Sequence, residues 1–210
     1  MSSPTPRAYD SSRRRRLAEQ TRAEVLAAAT RLFVERGWAG TSMRDVARAA
    51  GCSVETVYAS VGTKRELLKV ALDIAVVGDD EPVPLLARGE IGAIGAGSAA
   101  ARAAAAAALC ASIYRRTAGL NRVLDQARVT EPELAGLWAE TRADFRTSLA
   151  AVLERVAARP LTGTELDALC AVLGSDVYFQ LTGESGWPDE HYETWAADTV
   201  LRLLRLDEET

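Results

Sequence analysis

Residues 41–68 read TSMRDVARAAGCSVETVYASVGTKRELL, and three helix-start signals fall within this one stretch. Ser42 followed three residues later by Asp45 is a variant of the capping box, in which each residue satisfies the other's backbone N–H. Val46, Ala47 and Ala50 follow at helical spacing, and Gly51 supplies the left-handed residue that stops a short helix. Ser53 caps a second helix whose Val54, Val57 and Val61 share one apolar side. Thr63 and Glu66 form a full capping box opening a third, with Leu67, Leu68, Ala71, Leu72 and Ala75 turned inward. Two short helices joined by a tight glycine turn and bracketed by longer ones make a helix-turn-helix.

The remainder of the chain is read as helical too. Alanine dominates an apolar fraction of 48%, and apolar residues recur at helical rather than alternating spacing, so the expected class is all-α. A chain of 210 residues suits one small domain and one medium helical domain. No run of about 18 uncharged apolar residues occurs, and no hydrophobic signal core follows the N-terminal arginines, so a cytoplasmic protein is expected. Cys52, Cys110 and Cys170 are odd in number and far apart, which fits neither a disulfide framework nor a metal site. They read as small apolar residues, and the lone His191 as a surface residue. With no HExxH, P-loop or GxSxG elbow, neither a catalytic set nor a cofactor site is expected, and an enzyme would be left with carboxylate chemistry alone.

Charge separates the two ends. Residues 1–65 carry 12 Lys and Arg against 6 Asp and Glu, while the rest of the chain carries 13 against 23. A basic end that contains a helix-turn-helix, on an acidic body, is the charge pattern of a nucleic-acid-binding head.

In chain order, residues 1–16 are expected to be a disordered arm ending in the basic run Arg13–Arg16, able to follow phosphates or to remain solvated. A helix over 17–36, with Val25, Ala29, Leu32 and Phe33 on one stripe and Gly37 as its stop, supports the motif, and the head is expected to span 17–75. Gly78 to Pro84 breaks the helix with charge and two prolines, and a second domain is expected over 79–210. The alanine run 99–108 predicts a helix to about Thr117, with Gly119 separating it from a short helix over Leu120–Leu124. Thr130 to Glu133 reads as a capping box that opens a long helix ended by Pro160. Thr162 and Glu165 read as another, opening a helix that runs through Leu181, before a last helix from Trp187 to Leu204. Both of the final helices are apolar on more than one side, which points to a homodimer contact through Leu166, Leu169, Leu173, Val177, Leu181, Trp195, Thr199, Val200 and Leu203.

The run Val25-Leu26, Ala28-Ala29, Leu32-Phe33, Gly37, Thr41-Ser42, Val46-Ala47, Ala50-Gly51, Thr56-Val57-Tyr58, Val61, Lys64 and Leu67-Leu68 resembles the TetR family of bacterial transcriptional regulators over about residues 17–75. One departure is Val61, where most members carry Phe. The resemblance implies an N-terminal three-helix DNA-binding domain and a C-terminal helical domain for ligand binding and dimerisation. It implies double-stranded DNA and a small-molecule effector as partners. Carried over position by position, Arg44, Thr56, Tyr58 and Lys64 fall where DNA is touched, Ser60 where a base or backbone contact is made, and Ser53, Val54 and Glu55 at the outward start of the reading helix. Cys110, Tyr114, Arg115, Trp138 and Phe145 are the candidates for the effector site, against the plainer reading of each as core or surface. A DNA-organising protein without sequence preference shares the basic head but does not require a large acidic body.

Overall fold

The computed structural model describes residues 8–79 and 83–206. Among these every regular element is helical, and the chain divides into two compact units between Ala71 and Leu72, inside a helix.

In the head, α1 spans Ala8–Arg36, α2 Met43–Ala50, α3 Val54–Val61 and α4 begins at Lys64, running to Val77. The helical state of residues 8–16 corrects the expected disordered arm; residues 1–7 lie outside the described residues. Nucleation is the costly step in a helix and extension is cheap. Here the buried Val25, Ala29, Leu32 and Phe33 stabilise α1, and arginine, a good helix former, prolongs it into solvent. An Arg15–Glu19 ion pair at 2.9 Å spans one turn of that extension.

Local chemistry sets the turns. Gly37 closes α1 at φ 71°, and the hydroxyl of buried Thr41 lies 3.0 Å from the Leu32 carbonyl and 2.9 Å from that of Gly37. Ser42 and Asp45 form the capping box of α2, and Gly51 ends that helix at φ 68°. Ser53 Oγ accepts from Thr56 N at 3.1 Å, and Gly62 closes α3 at φ 76°. Thr63 N donates to Glu66 Oε2 at 2.7 Å, and Glu66 N donates to Thr63 Oγ1 at 3.2 Å, completing the third box. The positive φ favours glycine there, and a Cβ on residue 62 would also push the Glu66 carboxylate out of its capping box. Val61 is buried, as a core residue at that position should be.

The body contains a 3₁₀ turn at Leu85–Ala87, then α5 Gly89–Ala93, α6 Ala99–Ala127, α7 Pro132–Ala157, α8 Gly163–Val172, α9 Ser175–Tyr178, a π turn at Phe179–Glu184 and α10 Asp189–Leu204. Helix α6 packs on α7 and α10 through Ala103, Ala106 and Ala111, each at most 2% exposed, because thin side chains let helix axes approach closely.

Three expectations for this unit change. Gly119 does not interrupt α6, because Leu120 and Leu124 are buried just beyond it and their burial outweighs the roughly 1 kcal/mol that glycine costs inside a helix. Glu131, not Thr130, is the N-cap of α7: Pro132 occupies the first helical position, and the Thr130 hydroxyl turns back to the Ala127 carbonyl at 3.3 Å. The helix expected to run through Leu181 stops at Val172 and restarts after Gly174. The Leu173 carbonyl at that break accepts the buried Tyr114 hydroxyl at 2.5 Å.

Candidate nucleic-acid interface and effector region

Helix α3 sits on α1 and α2 through Val57, which is fully buried, and Val61. Its opposite side is open. Ser53, Glu55 and Tyr58 are exposed, Val54, Thr56 and Ser60 are half-buried, and Arg44 on α2 is exposed. Tyr58 leaves 52% of its surface in solvent, which makes it an outward aromatic rather than a core residue. Thr56 Oγ1 lies 3.0 Å from Ser53 Oγ, so the capping serine also orients the threonine. Ser60 Oγ donates to the Val57 carbonyl at 3.0 Å. Glu55 is held ionised by bonds from its own backbone N–H and from Ser53, its carboxyl lying below the ordinary range.

Two side chains that the sequence did not single out steady this surface. Arg22 on α1 donates to the Ser60 carbonyl at 2.5 Å, tying α1 to the C-terminal end of α3. Its signal was positional, since residues 22, 25, 26 and 29 share one helical face and only 22 is charged. Trp38, stacked on Phe33 with ring centres 5.9 Å apart, receives Lys64: Nζ reaches the Trp38 carbonyl at 2.5 Å and lies 4.0 Å from the ring centre. The lysine expected at a phosphate therefore also closes the loop between α1 and α2 against the first turn of α4.

In the body the structure brings together Cys110, Tyr114 and Phe145 of the effector candidates and separates the other two. Tyr114 is buried with its ring 6.4 Å from Phe145, 5.7 Å from Tyr178 and 6.5 Å from Tyr192. Burial pushes the Cys110 thiol up to about 12, so it is a neutral group beside Tyr114. Arg115 turns outward instead, pairing with Asp189 at 2.7 Å. Trp138 is half-buried elsewhere on α7, with the Arg128 guanidinium 4.2 Å over its ring. Tyr178 and Tyr192, not anticipated, complete the cluster; both sit in helices read only for apolar excess, where a tyrosine counts like any other large residue.

The expected dimer set also divides. Leu169, Leu173 and Val200 are at most 3% exposed within the body's own core, so they are not surface residues. Leu166, Val177, Leu181, Trp195 and Thr199 are half-buried and Leu203 is 41% exposed. His191 is exposed and stacks on Trp187 with ring centres 4.1 Å apart. Among the described residues no cluster of His, Cys, Asp and Glu can hold a metal ion, and no helix is long and apolar enough to cross a membrane.

Residues 25–71 match the family model described as bacterial regulatory proteins, tetR family. The chain is 39% identical over 56 residues to the HTH-type transcriptional regulator TtgR of Pseudomonas putida, covering 27% of each protein. It is 44% identical over 55 residues to an HTH-type transcriptional repressor of Mycobacterium tuberculosis, covering 26% of this chain and 29% of the repressor. It thus spans little more than a quarter of the length of the curated relatives it matches. Solved structures extend the likeness of fold across the body. A transcriptional regulator of Rhodococcus sp. superposes with a TM-score of 0.61 at 23% identity, over 88% of this chain and 96% of that one. A TetR-family member of Streptomyces coelicolor gives 0.58 at 21% identity, over 87% and 97%. The head thus matches the tetR family model in sequence over residues 25–71, and the chain with its helical body is similar in fold to solved regulators of that family.

Proposed function

We propose that the protein is a transcriptional repressor that binds a two-fold DNA operator as a homodimer and leaves it when a small, largely apolar molecule enters the body. The observation that carries this reading is α3: a helix capped at both ends and fixed from beneath by Val57, with Glu55 and Tyr58 exposed and Thr56 half-buried between them, at the basic end of the chain. A helix so held fits the major groove, where base edges carry a distinguishable donor and acceptor pattern. Thr56 and Ser60 supply hydroxyls for bases, Glu55 an acceptor suited to cytosine N4, and Arg44, Tyr58 and Lys64 the phosphate contacts. Arg13–Arg16 prolong the basic surface, since α1 carries them roughly 9–14 Å beyond Arg22 at 1.5 Å per residue. The same reading places the protein with the chromosome, in the cytoplasm.

Leu166, Val177, Leu181, Trp195, Thr199 and Leu203 remain as the dimer contact. Arg116 on α6 donates to the Ala75 and Val76 carbonyls at 2.7 and 3.0 Å and so grips the last turn of α4, whose first turn carries Lys64. A ligand that displaces α6 acts on that turn, and it shifts DNA affinity only by as much as it prefers the non-binding conformation.

Selection of bound duplexes from a random pool tests the reading. A palindromic winner supports a dimeric, sequence-reading regulator, and binding without preference supports a DNA-organising protein.

A further inference from the structure

The effector reading leaves the chemistry of the ligand open, and the aromatic cluster of the body narrows it; the inference rests on that reading. Three phenols crowd together, with the Tyr178 and Tyr192 rings 4.9 Å apart edge to face, and Trp195 lies 5.7 Å from Tyr192. Two of the three hydroxyls have acceptors. Tyr114 donates to the Leu173 carbonyl, and Tyr178 Oη donates to Asp189 Oδ1 at 2.8 Å. Tyr192 is fully buried, and among the described residues its hydroxyl has no hydrogen-bond partner. A buried orphan hydroxyl is destabilising, and phenylalanine would fill nearly the same volume without that cost. A hydroxyl kept in such a place needs a use.

The surroundings define what would satisfy it. Burial raises the Tyr114 and Tyr192 phenols above their ordinary range, so Tyr192 is a donor, and the same desolvation disfavours an ionised guest. The other neighbours are apolar or weakly polar: Phe145 beside Tyr114, Trp195 beside Tyr192, and the neutral Cys110 thiol. Tyr178 ends the four-residue α9 and leads directly into the π turn at Phe179–Glu184. One wall of the cluster is therefore irregular backbone, a feature frequent at functional sites, and a short irregular wall repacks around a guest more readily than long helices do.

We propose that the Tyr192 hydroxyl is the polar anchor of the effector site, and that the effector is an uncharged, apolar molecule with one oxygen that accepts a hydrogen bond from Tyr192. The rival is an anionic ligand drawn by Arg142, whose half-buried guanidinium lies 5.4 Å from the Phe145 ring centre.

The test uses the full-length protein and three probes of one bicyclic size: 1-indanone, indane and indane-1-carboxylate. Ligand-observed NMR titrations on the wild type and on Tyr192→Phe measure affinity, and operator affinity is measured in parallel. The wild type should bind 1-indanone about tenfold more tightly than Tyr192→Phe does, with indane unchanged between the two proteins and the carboxylate weaker than the ketone. Tyr192→Phe should unfold at a higher temperature than the wild type, which separates a lost anchor from a damaged fold. No binding of 1-indanone at millimolar concentration, equal binding by both proteins, or preference for the carboxylate would each overturn the proposal. If Tyr192-dependent binding leaves operator affinity unchanged, the site stands and the release reading falls. If operator release by another compound survives Tyr192→Phe, the release reading stands and this site falls.

Discussion

Replacing Arg22 by Met should weaken operator binding without removing a phosphate contact. The guanidinium joins α1 to the Ser60 carbonyl at 2.5 Å, in a half-buried position at the end of α3. Hydrogen bonds from charged groups contribute about 1.5–3 kcal/mol, and partial exposure reduces this to roughly 1–2 kcal/mol. Methionine retains most of the stem's packing, so the loss is mainly the bond itself. If the last turn of α3 must be held for binding, up to this amount reappears in DNA affinity, which is about 5- to 30-fold. The slope of log affinity against log salt should stay at the wild-type value, because no released counterion is involved. Lys64→Ala provides the contrast, with a slope smaller by roughly 0.9 if it neutralises one phosphate. Arg22→Lys retains the charge but not the planar fork, and should fall between wild type and methionine. Fluorescence anisotropy from 50 to 200 mM salt, beside thermal unfolding, separates the outcomes. An unchanged affinity and midpoint for Arg22→Met would refute the tether, and a slope reduced by about 0.9 would make Arg22 itself a phosphate contact.

Changing Arg13–Arg16 together to Gln preserves helix propensity, and four consecutive helical residues place about two on the face toward one duplex. The salt slope should then fall by about 1.8, or roughly 12-fold in affinity across a fourfold change in salt, and an unchanged slope would leave the segment solvated. Leu203→Arg should give monomers by sedimentation with the helical signal intact, since Leu203 is 41% exposed; a persistent dimer would move the contact elsewhere. The Arg159 guanidinium, with the Thr162 backbone N–H and hydroxyl, lowers the Glu165 carboxyl from 4.5 to about 2. A depressed carboxyl contributes stability that is present above its unfolded pKa and lost as pH falls through its folded one. The unfolding temperature of wild type relative to Glu165→Gln should accordingly decline between pH 4.5 and about 2, and a pH-independent difference would count against the ion pair.

What the sequence by itself determined are the features that close within a few residues. The boxes Ser42–Asp45, Thr63–Glu66 and Thr162–Glu165 and the stop at Gly51 are as read, because each is a bond or a dihedral set by neighbours in the chain. Together with the apolar stripe of α1 they specify the helix-turn-helix, and nearly all of the candidate DNA surface follows from it. Thr130 shows the limit of that logic, since a single Pro132 moved the cap by one residue. Tertiary structure decided what depends on partners far along the chain. Leu169, Leu173 and Val200 looked like surplus apolar surface for a second subunit, yet α6 and its neighbours already cover them; hydrophobicity records that a side chain leaves water, not which surface receives it. The break at Leu173 and Gly174 is completed by a tyrosine 59 residues away in α6. Tyr192 became distinctive only once its hydroxyl was enclosed among rings from other helices with no acceptor among the described residues, because whether a polar group is satisfied is a property of the packed interior and not of the residues beside it in the chain.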